Sequence, residues 1–163
     1  MSRFLVWVIA ISFMVGWRFS FYIDTDRQTE LTIGMEKGAT DGFDRELDQV
    51  APPLPPEGSH SFFPIKDQRY SFIEALWRDI RAPQERAVWK ITTVNLEKEI
   101  NIIWDPDSLP QGDIRYNDSI SLQQYQSGKL NIGMAKTFTL VYYRKPLPSR
   151  ISEPASFEST FTL

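Results

Sequence analysis

The chain has 163 residues, 42% of them hydrophobic and 13% aromatic, with a formal net charge of −3. That is one domain with tails, long enough to bury a core without covalent staples and too apolar for wholesale disorder. It has no cysteine, which excludes disulfides, thiol catalysis, cysteine zinc sites and a lipid-modified N-terminal cysteine, and no basic patch interleaved with aromatics that would point to nucleic acid.

Arg3 opens the chain, and Phe4 to Trp17 follow as 14 residues without a charge. A membrane-spanning helix needs about 20 apolar residues, whereas roughly 10–14 suit the hydrophobic region of a signal peptide. Residues 1–20 are therefore expected to be an export signal, with an uncleaved helical anchor or a buried apolar segment as alternatives. The lack of cysteine does not argue for the cytoplasm, because a large enough core needs no disulfide. Residues 21–27 read as a polar lead-in, 28–145 as the folded domain and 146–163 as a frayed polar tail.

Leu31, Ile33 and Met35 alternate with polar neighbours, the signature of a half-buried strand. Glu36 to Asp48 then form an acidic turn, with Gly38 and Gly42 free to take positive φ and Asp41-Gly42 a strong turn dipeptide. Pro52 to Pro56 favour polyproline II, and inside a sheet protein such a run lies along an edge or across an end. Ser59 to Ile65 is a short strand. Asp67 to Arg81 fits either one amphipathic helix, from the spacing of Phe72, Ile73, Leu76, Trp77 and Ile80, or strand, loop and strand.

The second half is more regular. Arg86 to Val94 alternates and is rich in β-branched residues, Asn95 to Glu99 is a turn of hairpin length, and Ile100 to Trp104 is the return strand. Further strands are expected around Ser119 to Gln124, Leu130 to Ile132 and Lys136 to Arg144. About seven short strands, with turn signals every 8–12 residues or so, predict an all-β fold, an antiparallel immunoglobulin-like β-sandwich. Alternating βα units are missing, which speaks against a Rossmann-like or α/β-barrel fold.

The segment from Leu31 to Gly58, with Ala39-Thr-Asp-Gly-Phe-Asp44 followed by Pro52-Pro-Leu-Pro-Pro56, resembles a module of secreted multi-domain surface proteins of the Bacteroidetes and related bacteria. Arg78-Asp-Ile-Arg81, Trp89-Lys-Ile91, the Trp104-Asp-Pro106 corner with Leu109-Pro110, and Phe138 to Tyr142 resemble later pieces of the same pattern, so that it runs from Gln28 to Arg144. The resemblance implies an immunoglobulin-like sandwich without an assigned catalytic activity, carried in large chains that end in a sorting domain for type IX secretion. The present chain is then expected to be a fragment, a stand-alone module or a shortened paralogue.

Four sets of residues are candidates for chemistry. Asp41, Asp44, Glu46 and Asp48 could offer several hard oxygens to Ca²⁺, although their spacing differs from an EF-hand loop. The plainer alternative has Asp41 capping the turn while Asp44 and Asp48 accept backbone N–H groups or pair with Arg78 or Arg81. Trp77, Trp89 and Trp104, with Tyr125, could form a platform for a sugar or peptide, or could be inter-sheet core. His60, the only histidine, has no G-x-S-x-G nucleophile nearby and is expected at the surface or rim. Pro52 to Pro56 could be a ligand for an SH3-like groove or a stiff connector.

No phosphate-binding glycine loop occurs. The expected function is a non-catalytic structural, adhesion or partner-binding module of an exported protein, facing other envelope domains or proteins, at the cell surface or anchored in the inner membrane and facing the periplasm. The alternatives are a carbohydrate-binding module, stabilised or not by calcium, and a hydrolase with a carboxylate pair, which requires a cleft lined by two acids.

Overall fold

The computed structural model describes residues 16–145. Period-two alternation builds its long strands. β1 (Trp17–Asp24) buries Phe19, Phe21 and Ile23 completely and turns Arg18, Ser20 and Tyr22 outward. β2 (Gln28–Met35) buries Leu31, Ile33 and Met35. β3 (Gln49–Val50), β4 (His60–Pro64) and β5 (Ala75–Arg81) follow the acidic loop. β6 (Arg86–Val94) and β7 (Ile100–Trp104) form in place of the expected hairpin strands, but do not pair with each other. β8 (Asp113–Tyr116), β9 (Ile120–Ser121), β10 (Lys129–Gly133) and β11 (Thr137–Tyr143) are the last strands among the described residues.

The strands make one curled, mixed sheet in the order β10-β7-β1-β2-β5-β4-β6-β11-β8-β9, with β3 added to β5. β4 serves both halves: His60 to Phe62 pair with Val94 to Thr92 of β6, and Phe63 and Pro64 pair with Leu76 and Ala75 of β5. The halves close over one core. Between ring centres, Trp17 of β1 lies 6.1 Å from Trp89 of β6 and 4.7 Å from Tyr142 of β11. Each fully buried Phe or Ile contributes about 1.5–3 kcal/mol, so β1, with three of them, is a principal part of this core.

Four sequence expectations are corrected. The sheet is not antiparallel throughout, because Thr32 to Met35 run parallel to Arg78 to Arg81; a parallel pair needs a long crossover, and the segment between β2 and β5 supplies it. Residues 21–27 are not a lead-in to the domain, since β1 pairs along its whole length with β2 and also with β7. Its alternation is hidden behind the preceding apolar run. Asp67 to Arg81 is neither the predicted helix nor two strands. It is a 3₁₀ turn at Gln68–Tyr70 followed by β5, and Phe72 is 81% exposed. Among the described residues eleven strands replace the expected seven or so, and the segment read as one strand near 119–124 is the two-residue β9 and a 3₁₀ turn, with β8 before it.

The predicted signal or anchor helix lies, up to residue 15, outside the described residues, as does the tail from residue 146. Among the described residues no helix is long and apolar enough to cross a membrane.

Candidate functional site

The acidic loop folds on its own carboxylates. Asp44 accepts the Thr40 backbone N–H at 2.6 Å and the Thr40 hydroxyl at 3.0 Å. Asp48, buried, accepts the N–H of Asp44 and the N–H of Ile80, each at 2.8 Å. The Arg78 Nε donates to the Leu47 carbonyl at 2.7 Å, a second tie between the loop and β5. Asp67 enters from outside, accepting the Phe43 N–H at 3.0 Å and pairing with Arg69 at 2.7 Å. Gly42 permits that approach, because a Cβ there would stand 2.4 Å from a carboxylate oxygen of Asp67. Gly38 takes the expected positive φ (94°), whereas Gly42 does not.

The electrostatics match this structural use. Burial pushes the Asp48 carboxyl up to about 6 against the two N–H bonds, which pull it down. Burial likewise raises Asp79, against the pull of Arg81, whose guanidinium lies 2.8 Å away. The Arg69 guanidinium holds Asp67 well below the usual carboxylate range. Hydrogen bonds from Ser59 and Thr25 lower Asp26 to about 2.

Asp41 and Glu46 are exposed, and the oxygens of Asp44 and Asp48 are occupied by donors. Among the described residues no group of three or more His, Cys, Asp or Glu side chains is placed to hold a metal ion. The plainer reading of the loop, carboxylates accepting backbone N–H groups, is the arrangement found, with Asp44 and not Asp41 capping the turn.

The tryptophans do not share a platform. Trp89 is fully buried, donates its Nε1 hydrogen to the Asp79 carbonyl at 3.1 Å and carries Arg81 at 5.3 Å from its ring centre. Trp104 is buried against Tyr125, with ring centres 6.5 Å apart, and its Nε1 has no partner. Trp77 stands apart. The adjacent residues Gln49 and Val50 pair with Arg78 and Leu76, so Trp77 is the extra residue of a β-bulge in β5. A bulge re-aims side chains, and here Leu76 goes into the core while Trp77 and Arg78 both line the outside of the sheet.

That outer face is concave. One cleft of about 360 Å³ lies between Trp77, Tyr22, Glu30 and the wall of Pro52, Pro53 and Pro55, with Arg27 and His60 on its lining. A second, of about 400 Å³, shares Trp77 and Glu30 and continues past Thr32, Gln49, Arg78 and Arg18. On the other side of the prolines a third, of about 420 Å³, is lined by Val50, Leu54, Phe62, Phe72 and again His60. The expectation that His60 sits at the surface is corrected: it is 5% exposed, its Nε2 is unpartnered, and burial lowers its basicity. Its ring lies 5.8 Å from that of Phe62 and 5.9 Å from that of Trp77, the second a neighbour that the sequence around His60 does not reveal. Asp48 and Asp79, the carboxyls raised by burial, line none of these clefts.

Sequence reasoning missed Tyr22, Glu30 and Arg27 because they belong to the stretch read as a lead-in and to the polar face of β2. The outward alternation of Arg18, Ser20 and Tyr22 is the signal that could have found them. No protein-family model, curated protein or solved structure matches the chain.

Proposed function

We propose that the chain is a non-catalytic, immunoglobulin-like β-sandwich module of an exported bacterial surface protein, whose role is to dock onto a neighbouring domain or envelope protein. The observation that carries this reading is the apolar surface beside the proline segment. Val50, Leu54 and Phe72 are 44%, 59% and 81% exposed around one cleft, while most large hydrophobic side chains of the domain are buried or half-buried. Clustered exposed apolar side chains mark interaction surfaces. Proline adds a stiff wall with little conformational entropy to lose on docking. The two facing halves of the sheet support the sandwich reading, and the likeness of the Ala39 to Asp44 and Pro52 to Pro56 pieces to the Bacteroidetes surface module supports the exported one.

The test is made in an exporting bacterium of that group. The full chain is expressed with a photo-crosslinking residue at position 72, or at Lys90 on the exposed face of β6 as control. A discrete adduct with an identified envelope protein, formed at position 72 and not at Lys90, is expected. Recovery of the chain in the cytoplasm with Met1 intact, or adducts equal at both positions, would overturn the reading.

A further inference from the structure

The cleft on the other side of the proline wall has a different chemistry. Tyr22, Glu30 and Trp77 lie on the neighbouring strands β1, β2 and β5, with Tyr22 and Glu30 directly paired across the first two. Tyr22 is 38% exposed, Glu30 is exposed, and Trp77 is half-buried in the wall of both adjacent clefts. The indole is held in place from behind, its Nε1 hydrogen donated to the Ser61 carbonyl at 3.2 Å and its ring 5.9 Å from that of His60. A fixed aromatic face beside a free carboxylate suits a ligand that is apolar on one face and rich in hydroxyl groups at its rim.

We propose that this face binds a neutral pyranose chain, with one sugar ring stacked on Trp77, flanked by Tyr22, and its hydroxyls donating to Glu30. Axial C–H groups of a pyranose carry partial positive charge, and an aromatic ring presents a negative face to them. An ionised carboxylate is acceptor-only and takes two hydroxyl hydrogens. Binding sites commonly combine such apolar walls with a few polar groups that fix orientation. His60 lines the same cleft, while its Nε2 is buried and unpartnered.

Of the three cations on the lining only Arg18 has a carboxylate partner among the described residues, Glu36 at 3.1 Å. Arg78 and Arg27 donate to the neutral carbonyls of Leu47 and Glu57 and keep their charge, so the alginate arm of the test decides between a neutral and an acidic chain. The two clefts lie side by side along the sheet with Trp77 and Glu30 on both linings, so a chain of sugar rings can span the pair. This inference rests on the chain being a binding module, and it uses a surface separate from the one around Phe72.

The experiment is affinity electrophoresis of the full chain in native gels containing hydroxyethyl cellulose, xylan, galactomannan or laminarin, with alginate as the acidic counterpart. Retardation by at least one neutral polymer is expected. It should weaken roughly tenfold or more in Trp77→Ala and in Tyr22→Ala, fall in Glu30→Gln, and stay unchanged in Phe72→Ala. Tyr22 and Glu30 are exposed, so their variants decide the matter if Trp77→Ala does not fold. No retardation by any neutral polymer, retardation by alginate alone, or retardation indifferent to Tyr22 and Glu30 would overturn the proposal. Those results would leave the docking surface at Phe72 untouched, since crosslinking there reads a different face.

Discussion

One carboxylate oxygen of Asp48 accepts the backbone N–H of Ile80 at 2.8 Å, joining the acidic loop to a strand that begins 27 residues later in the chain. Its other oxygen takes the N–H of Asp44 within the loop. Asp48→Ala leaves one buried and one part-buried donor unsatisfied, and a buried one costs about 1–3 kcal/mol. A loss of roughly 2–5 kcal/mol by urea denaturation is expected. Asp41→Ala, at an exposed position, should change stability by no more than about 0.5 kcal/mol. Equal effects of the two would assign the loop to the wrong aspartate.

The same carboxyl gives a pH dependence of definite sign. Its folded pKa of about 6 lies above the ordinary 3.8, so the folded state holds the proton more tightly than the unfolded one. Stability from this group is fully present below 3.8 and is lost as the pH rises through 6. Between pH 4 and 7 the wild type should lose up to about 3 kcal/mol relative to Asp48→Ala. His60 acts in the opposite direction, since burial lowers it from 6.5 and its contribution is lost on acidification. Both proteins keep His60 and Asp79, so the difference between their denaturation midpoints reports Asp48 together with its coupling to Asp79. A difference that is flat across the range would contradict the shift.

Trp104 offers a test of packing without hydrogen bonding. Its side chain is buried with the indole nitrogen unpartnered. Trp104→Ala should cost about 3–5 kcal/mol. Trp104→Phe removes a buried donor along with part of the ring and should cost much less. Chemical denaturation followed by far-ultraviolet circular dichroism compares the two; similar losses would mean that the indole N–H has a partner.

Gly128 and Gly133 share nearly the same backbone, φ of 62° and 63°, but not the same surroundings. A Cβ at Gly128 would stand 2.1 Å from the Trp104 carbonyl oxygen, whereas at Gly133 nothing lies within 4 Å. Gly133→Ala should cost about 1–2 kcal/mol, the strain of a left-handed L-residue. Gly128→Ala should cost more, because backbone must also move. Melting temperatures in that order are expected, and the reverse order would place the 125–128 turn elsewhere.

The strands whose two faces differ in polarity were legible in sequence. β2, β6 and β11 fall where alternation puts them, and the acidic stretch folds as a turn whose aspartates accept backbone N–H groups. Pairing was not legible. Alternation tells which face of β2 is buried but not that its partner is β5 or that the two run parallel. β1 was obscured because Phe19, Phe21 and Ile23 continue an apolar run that composition alone assigns to an export signal. The bulge at Trp77 depends on the register of β3, two residues that carry no strand signal. Asp67 caps Phe43 from 24 residues away, and His60 packs beside Trp77 of β5. Long-range contacts of this kind leave no local mark in a single sequence.

The contact of Trp17 with Tyr142 has a mechanical consequence. Trp17 is the first residue of β1 and Tyr142 the last but one of β11, and their rings are 4.7 Å apart. The polypeptide therefore enters and leaves the domain at one pole. Inserted in a longer chain, such a fold hangs to the side as a pendant and adds little to the contour length. Tension on the flanking segments would pull first on the Trp17–Tyr142 contact.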